Sequence, residues 1–297
     1  MKWTRSTRSE YLEDRRQAQP GRPSRRSGYR PRRGRRATLG GGSIVVLLVA
    51  LFFGRNYLGL GSSSGRTGAS YTSGSGISPG NDPDAELVDF INFVLEDVQA
   101  TWDKELPDQL GKPYRPVRLV LFSEAIDSAC GYASAAIGPF YCPGDKKAYI
   151  DLTFYGELDR RFGAPGDFAQ AYVIAHEIGH HIQNLLGTSA RVHRERARMS
   201  KVDANALTVR LELQADCLAG VWAHSTNERD VLEKGDLEEG LQAATAIGDD
   251  TLQKRARGRV TPETFTHGSS AQRVRWFKRG FDSGKVADCD TFNAASL

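Results

Sequence analysis

The stretch 175–181 constrains the fold of this chain more than any other, because it predicts both a helix and the spacing of the reactive side chains along it. It lies in an apolar segment over 168–186, which a proline–glycine–aspartate break precedes and a glycine follows. These boundaries predict an α-helix. Residues four apart on a helix lie one above the other, so His176 and His180 would present two imidazoles to one metal ion, with Glu177 beside them. The pattern predicts a zinc site with an adjacent base.

Two histidines leave a catalytic zinc ion without its usual third protein ligand. An extended form of the motif would place a glycine three residues after His180 and a third histidine six residues after it. Gln183 and Leu186 occupy those two positions. The metzincin class is therefore excluded, and the third ligand must come from elsewhere in the chain.

A suitable donor follows on a second predicted helix, over 207–223. Glu212 and Asp216 are four residues apart there, so both carboxylates face the same way. Glu212 is predicted to be the third zinc ligand. Asp216 would accept the second ring N–H of a ligand histidine and fix its tautomer. The alternative is that both acids belong to the solvated face of an amphipathic helix.

The N-terminal third of the chain has a different composition. Residues 1–36 contain thirteen Lys or Arg against three acids, with few aliphatic residues, which predicts a disordered basic arm. Residues 37–58 include a continuous apolar run at 44–53, close to the lower limit for crossing a bilayer. Residues 59–81 are rich in Gly, Ser and Thr and predict a flexible tether.

These segments predict a single-pass membrane protein. Positive charge before the apolar run places the N terminus in the cytoplasm and the rest of the chain outside. The basic arm would then also contact anionic lipid. A cleaved signal peptide and a nucleic-acid-binding arm are the alternatives, although no specific nucleic-acid partner is expected.

The remaining residues, 82–297, have the length of one folded domain. Helix signals dominate, and two strand candidates lie at 117–122 and 147–152. The expected class is α+β, mainly helical, with a small sheet beside the helix of the histidine pair. A strand at the edge of the site could pair with an extended substrate backbone, although an ordinary sheet strand is the alternative. The residues predicted for this edge strand are Ala148, Tyr149 and Ile150.

Four cysteines follow the apolar run, on the side predicted to be oxidising, so two disulfides are expected. Three pairings are possible. The favoured pairing joins Cys130 to Cys142 and Cys217 to Cys289. A structural zinc ion would need cysteines two to four residues apart, and the sequence has no such pair.

His267 is a candidate for a catalytic role outside the two helices. It precedes a turn and a further predicted helix that begins at Ser270. A zinc hydrolase needs a second donor to stabilise the oxyanion that forms as water adds to a carbonyl. His267 could supply that donor, or it could instead make a hydrogen bond at the helix entry.

Several motifs together resemble the bacterial putative neutral zinc metallopeptidase family, over roughly residues 82–297. They are the run 138–143, the strand with Tyr149 and Asp151, and the stretches 175–183, 212–217 and 266–269. The resemblance implies a zincin-like fold and one catalytic zinc ion. It also implies that the zinc ligands are His176, His180 and Glu212, with Glu177 as the catalytic base.

The expected function is therefore that of a zinc-dependent metalloendopeptidase, anchored in the bacterial cell membrane with its catalytic domain outside, that hydrolyses peptides or proteins. The alternative is a non-catalytic module that binds peptides or envelope proteins on a zincin scaffold. An intact Glu177 beside both histidines argues against the second reading, because a binding module needs no base there.

Overall fold

The structure is a computed structural model that describes residues 1–17 and 82–297. Helices dominate these residues and two small sheets accompany them, which is consistent with an α+β class. The helices of the described residues are α1 (Ala85–Leu110), α2 (Thr153–Arg160), α3 (Asp167–Leu185), α4 (Thr188–Arg196), α5 (Lys201–Glu228), α6 (Asp236–Ala246), α7 (Asp249–Arg257) and α8 (Ser270–Ser283).

The strands of the described residues are β1 (Leu12–Asp14), β2 (Arg118–Phe122), β3 (Ala125–Ser128), β4 (Gly131–Ser134), β5 (Phe140–Cys142) and β6 (Lys147–Asp151). The larger sheet has four strands in the order β1–β2–β6–β5. β1, β2 and β6 run parallel, whereas β5 is antiparallel to β6. β3 and β4 form a separate antiparallel hairpin.

The prediction that β6 forms an edge of the sheet is wrong. Ala148 pairs with Leu119 of β2 on one side and with Tyr141 of β5 on the other. Tyr149 is likewise paired on both sides, and Ile150 is paired with β2. The sequence identifies a strand but not its neighbours, and here the outer strands are β1 and β5.

Aromatic packing holds α3 in the centre of the core. Phe168 stacks on Trp222 of α5 with ring centroids 5.6 Å apart, and Tyr172 meets Phe277 of α8 edge-on at 5.2 Å. All four side chains are buried. Because burying a large apolar side chain contributes about 1.5–3 kcal/mol, such contacts offset the cost of placing polar groups on the same helix.

Glycines allow α3, α5 and α8 to approach one another closely. A Cβ at Gly179 of α3 would lie 2.9 Å from the carbonyl oxygen of Ala215 on α5. A Cβ at Gly280 of α8 would overlap the carbonyl oxygen of Cys217 on α5. The backbones therefore touch at both crossings, and the side chains of all three helices meet in one buried region.

Residues 1–17 belong to the folded domain, which corrects the prediction of a disordered arm for this part of 1–36. β1 extends the sheet by pairing Leu12 with Leu119. The ammonium group of Met1 is buried and lies 2.9 Å from Asp167 and 3.2 Å from Asp236. The N-terminal segment thus contacts both the central sheet and the start of α3.

The basic residues of 1–17 face protein acids, which corrects the expectation of a surface for anionic lipid in this part of the arm; residues 18–36 lie outside the described residues. Arg16 contacts Asp82 at 2.5 Å and Asp84 at 3.2 Å, and its side chain is 5% exposed. The other described basic residues of the segment, Lys2, Arg5, Arg8 and Arg15, each have an Asp or Glu partner. These partners lie partly within the segment and partly in the rest of the domain.

The predicted membrane topology is also corrected. Within residues 1–17 and 82–297, no helix has the length and apolar character needed to cross a membrane. The predicted span, 37–58, and the predicted tether, 59–81, lie outside the described residues. Because β1 and β2 share a sheet, the chain before and after this stretch lies together, whereas a single crossing would separate the two parts.

Two disulfides are present, in the pairing favoured from the sequence. Cys130 joins Cys142, and Cys217 joins Cys289, with Cα–Cα distances of 5.8 Å and 5.5 Å. The first links the β3–β4 hairpin to β5. The second ties the C-terminal segment to α5, at the residue that follows Asp216.

Candidate metal centre

The three residues predicted to bind zinc lie together. Nε2 of His176 is 3.4 Å from one carboxylate oxygen of Glu212, and Nε2 of His180 is 3.5 Å from the other. One ligand atom from each residue lies within 4.8 Å of the others. α3 supplies both imidazoles and α5 supplies the carboxylate, so the close crossing at Gly179 is what brings them together.

Hydrogen bonds orient both imidazoles. Nδ1 of His176 lies 2.7 Å from a carboxylate oxygen of Asp216, and Nδ1 of His180 lies 2.9 Å from the side-chain oxygen of Gln183. Both oxygens act only as acceptors, so each Nδ1 carries a hydrogen. Each Nε2 is then the nitrogen that can bind a metal ion, and both face Glu212.

The charges at this centre stabilise one another. Burial lowers the pKa of His176, but Asp216 and Glu212 outweigh this effect and raise it to about 9. Burial raises the pKa of Glu212, and the neighbouring histidines reverse that effect and hold it well below its usual value. A metal ion at this centre must therefore displace a proton from the imidazoles, as metal ions generally do at histidine sites.

Asp216 is fully buried, and both of its oxygens are occupied. One oxygen accepts hydrogen bonds from His176, from the Tyr172 hydroxyl at 2.5 Å and from Arg273 at 2.8 Å; the other accepts from Nε of Arg273 at 2.9 Å. Burial raises the pKa of Asp216, but the charges of Arg273 and His176 lower it to about 2. Asp216 is therefore a permanent anion that orients His176.

Glu212 is equally buried but is not satisfied. Its Oε1 has no hydrogen-bond partner among the described residues, and the His180 nitrogen at 3.5 Å is too distant for a normal hydrogen bond. A buried polar atom without a partner costs about 1–3 kcal/mol, and more when it is charged. Two imidazole nitrogens and a carboxylate oxygen form a ligand set of catalytic zinc sites. The residues present therefore fit a zinc ion.

Glu177 lies on α3 beside His176 and is 8% exposed. Its side chain makes no hydrogen bond to any residue that the structure describes. Burial raises its pKa, against the lowering effect of the charges on His180 and His176. A carboxylate with a raised pKa next to a metal centre is suited to accept a proton and return it.

His267 lies close enough to the centre for its charge to act on Glu212. Asp249 positions it by accepting hydrogen bonds from the backbone N–H groups of Thr266 and His267, both at 2.6 Å, and by lying 3.3 Å from the His267 Nδ1. Burial lowers the pKa of His267, but Asp249 outweighs that effect and raises it. Asp249 thus fixes the position of His267, whose charge acts on Glu212.

His181 does not belong to the centre, although it adjoins His180. Its Nε2 lies 2.7 Å from the carbonyl oxygen of Arg115, to which it donates, and its Nδ1 accepts from the Tyr141 hydroxyl at 3.0 Å. Burial lowers its pKa. Both nitrogens are therefore used in fixing α3 to β5 and to the chain just before β2.

Three residues that support the centre were not predicted from the sequence: Tyr172, Gln183 and Arg273. Tyr172 lies four residues before His176 and Gln183 three residues after His180, so helical spacing could have indicated both. Arg273 gives no such signal, because α8 reaches Asp216 only through the glycine-mediated crossing with α5.

A second acidic group within the described residues could also hold a cation: Asp167, Asp236 and Glu239. The Met1 ammonium already contacts the first two acids. Glu239 accepts a hydrogen bond from the backbone N–H of Phe168 at 3.1 Å. These contacts give the group a structural role at the start of α3.

Comparison with known proteins places the geometry in context. The model of a family described as "Putative neutral zinc metallopeptidase" matches residues 1–292, which include the N-terminal segment. Uncharacterized protein YpfJ of Escherichia coli (strain K12) is 45% identical over 292 residues, which cover 98% of this chain and 99% of that protein.

A second relative covers less of the chain. Uncharacterized protein Rv2575 of Mycobacterium tuberculosis is 45% identical over 211 residues, which cover 67% of this chain and 69% of that protein. No solved structure matches the chain.

Proposed function

Because this chain belongs to the Putative neutral zinc metallopeptidase family, we propose that it is a zinc-dependent peptidase that hydrolyses peptide bonds at the centre formed by His176, His180 and Glu212. The family supports zinc as the metal and peptides or proteins as substrates. The assignment of roles to individual residues is the proposal.

One observation carries this proposal: a buried carboxylate oxygen of Glu212 without a hydrogen-bond partner faces two imidazoles whose Nδ1 atoms are already engaged. A peptide-binding scaffold without a metal ion would gain nothing from an unsatisfied carboxylate in its core. A metal ion would satisfy all three side chains together.

A zinc ion bound here would supply Lewis-acid activation of a water molecule and of the scissile carbonyl group. In the proposed reaction, Glu177 takes a proton from the attacking water as its oxygen forms a bond to the carbonyl carbon. Glu177 then gives the proton to the nitrogen of the leaving amine as the C–N bond breaks. No further reactant is required.

His267 is proposed to donate a hydrogen bond to the oxygen that becomes negatively charged during this step. Its support is its position: it is nearly buried, interacts electrostatically with Glu212, and is fixed by Asp249. Donors already in place at such an oxygen stabilise the transition state without reorganisation.

The proposed architecture is of the zincin type, with residues 82–297 as the peptidase domain and residues 1–17 as an integral addition. β5 replaces β6 as the candidate strand for pairing with a substrate backbone. It is an outer strand of the sheet, and its residue Tyr141 contacts His181 and Asn184 of α3.

The decisive experiment compares the full chain with its Glu177→Gln variant on a peptide library read by mass spectrometry. The parent should cleave, a chelator should abolish cleavage, and zinc should restore it. Glu177→Gln should keep the metal and lose turnover by about 10²–10⁴-fold, since it removes the general base. Glu195→Gln, on an exposed part of α4, is the matched control and should cleave like the parent.

Equal cleavage by the parent and Glu177→Gln would overturn the role of Glu177. A zinc-loaded parent that binds peptides and cleaves none would support the binding-module alternative.

A further inference from the structure

Arg196, the last residue of α4, is a partly buried cation for which the described residues supply no hydrogen-bond or ion-pair partner. Its Nε is buried and makes no hydrogen bond. Across residues 1–17 and 82–297, no acid lies within ion-pair distance of its guanidinium group. The proposed function gives this residue no role.

Other arginines in the same region are partnered. Arg191 on α4 lies 3.6 Å from Glu195 and stacks on Phe292 at 4.4 Å. Arg210 on α5 donates to backbone carbonyl groups of the C-terminal segment, including that of Ala294 at 3.2 Å. Arg196 therefore differs from both of these arginines.

The surroundings of Arg196 connect it to the metal centre. Burial lowers its pKa, and the one charge that opposes this effect is that of Glu212. The two groups do not form an ion pair, because the Glu212 oxygens face His176 and His180. α4 packs against both α3 and α5, the helices that carry the proposed metal ligands. Arg196, at the end of α4, therefore lies on the α4 side of the centre.

A guanidinium group that is partly removed from water requires a compensating anion. Its planar set of N–H donors matches a carboxylate in two parallel hydrogen bonds, which a lysine cannot reproduce. We propose that Arg196 binds a carboxylate of the peptide substrate, either the C-terminal carboxylate or an Asp or Glu side chain, and so selects acidic peptides. This inference rests on the proposed function for the position of the peptide.

Exposed apolar side chains follow Arg196 in the chain. Met199 is 44% exposed and Val202 is 53% exposed. A peptide with apolar residues beside its acidic one would suit this part of the surface.

The test measures binding by the zinc-loaded full chain carrying Glu177→Gln, so that substrate is not consumed. The probes are fluorescein-labelled pools of random octapeptides made from uncharged residues. One pool ends in an amide, one ends in a free carboxylate, and one ends in an amide but contains a single Glu. Fluorescence anisotropy gives the dissociation constant of each pool.

At least one carboxylate pool should bind about tenfold or more tightly than the uncharged amide pool, as expected for a charge-assisted hydrogen bond. Arg196→Gln should abolish this preference, and Arg196→Lys should restore only part of it. Arg194→Gln, the exposed neighbour on α4, should retain the full preference. The pool that loses affinity identifies which carboxylate Arg196 binds.

Equal binding of all three pools by the parent, or a preference that survives Arg196→Gln, would overturn the inference. Loss of zinc from Arg196→Gln, measured by metal analysis, would also overturn it, because Arg196 would then act on Glu212. These results are separable from failure of the proposed function. Cleavage without carboxylate preference rejects this inference alone, whereas Arg196-dependent binding without any cleavage by the parent rejects the peptidase assignment alone.

Discussion

Asp216 and Glu212 lie one helical turn apart on α5 and are both buried, yet their partners differ. Asp216 accepts hydrogen bonds from Tyr172, His176 and Arg273. Glu212 keeps an oxygen that no described donor reaches. Burial alone therefore does not distinguish a binding carboxylate from a structural one; the difference lies in whether the fold supplies its partners.

The two acids also differ in how their charge is neutralised. Asp216 has a permanent internal cation, because Arg273 contacts both of its oxygens. Glu212 has only the two histidines, and a metal ion would compete with the protons that give them charge. The fold therefore supplies every partner of Asp216 and leaves an oxygen of Glu212 for the proposed metal ion.

The largest effect is expected from Asp216→Asn. This change leaves the buried Arg273 without its counter-charge, which should cost about 3–5 kcal/mol of unfolding free energy. Urea unfolding of the metal-free chains measures it. Glu212→Gln is the matched variant and should cost much less, because the histidines that face Glu212 can release a proton whereas an arginine cannot. Equal losses would mean that the two carboxylates are equivalent.

Gly179→Ala should have the next largest effect, because it separates α3, which carries the histidines, from α5, which carries both acids. The new Cβ would lie 2.9 Å from the Ala215 carbonyl oxygen, and such overpacking costs about 1–3 kcal/mol. Zinc affinity should fall along with the melting temperature. Gly156→Ala on α2 is the control, since its Cβ would meet only the movable end of Arg160. If Gly179→Ala bound zinc like the parent, the close crossing would not set the ligand geometry.

Gln183→Ala tests the surroundings of Glu212, because it removes the acceptor that fixes the ring of His180. Loss of a residue that orients a metal ligand lowers metal affinity by about 10–100-fold. Competition with a zinc-binding dye measures this change. Gln183 is buried and also donates to the carbonyl oxygen of Leu211 at 2.6 Å, so the melting temperature of the metal-free chain should fall as well. An unchanged zinc affinity would show that the Gln183 contact does not orient His180.

The smallest effect is expected at the N-terminal segment, far from both acids. Arg16→Ala removes a 5% exposed side chain that joins Asp14 to Asp82 and should lower the melting temperature. Arg5→Ala removes a pair whose arginine is 67% exposed, and exposed pairs contribute about 0–1 kcal/mol. Equal melting temperatures for the two variants would argue against the docking of this segment.

The sequence predicts those parts of the site whose residues are close together in the chain. His176 with His180, and Glu212 with Asp216, are pairs within single helices, so a period of four places each pair on one face. The convergence of the two helices was inferred from metal chemistry, since three ligands are required. Nothing in the local sequence indicated Arg273, because its contact with Asp216 depends on the packing of α8 against α5.

The sheet and the N-terminal segment could not be predicted in the same way. β6 reads as a strand, but its partners come from β2 and β5, and the order of strands is a property of the whole fold. The composition of 1–36 predicts disorder because it has few aliphatic residues. Leu12 and the paired charges of residues 1–17 dock onto a surface that exists only in the folded domain, so the composition of the segment does not reveal it.

Zinc content tests the central claim most directly. Full-length parent and Glu212→Gln chains, equilibrated by dialysis against the same zinc buffer, would be analysed for metal by atomic absorption. The parent should hold about one zinc ion per chain, as a single three-ligand site requires, and Glu212→Gln should hold almost none while remaining folded. A Glu212→Gln chain that retained zinc at the parent's affinity would contradict the account.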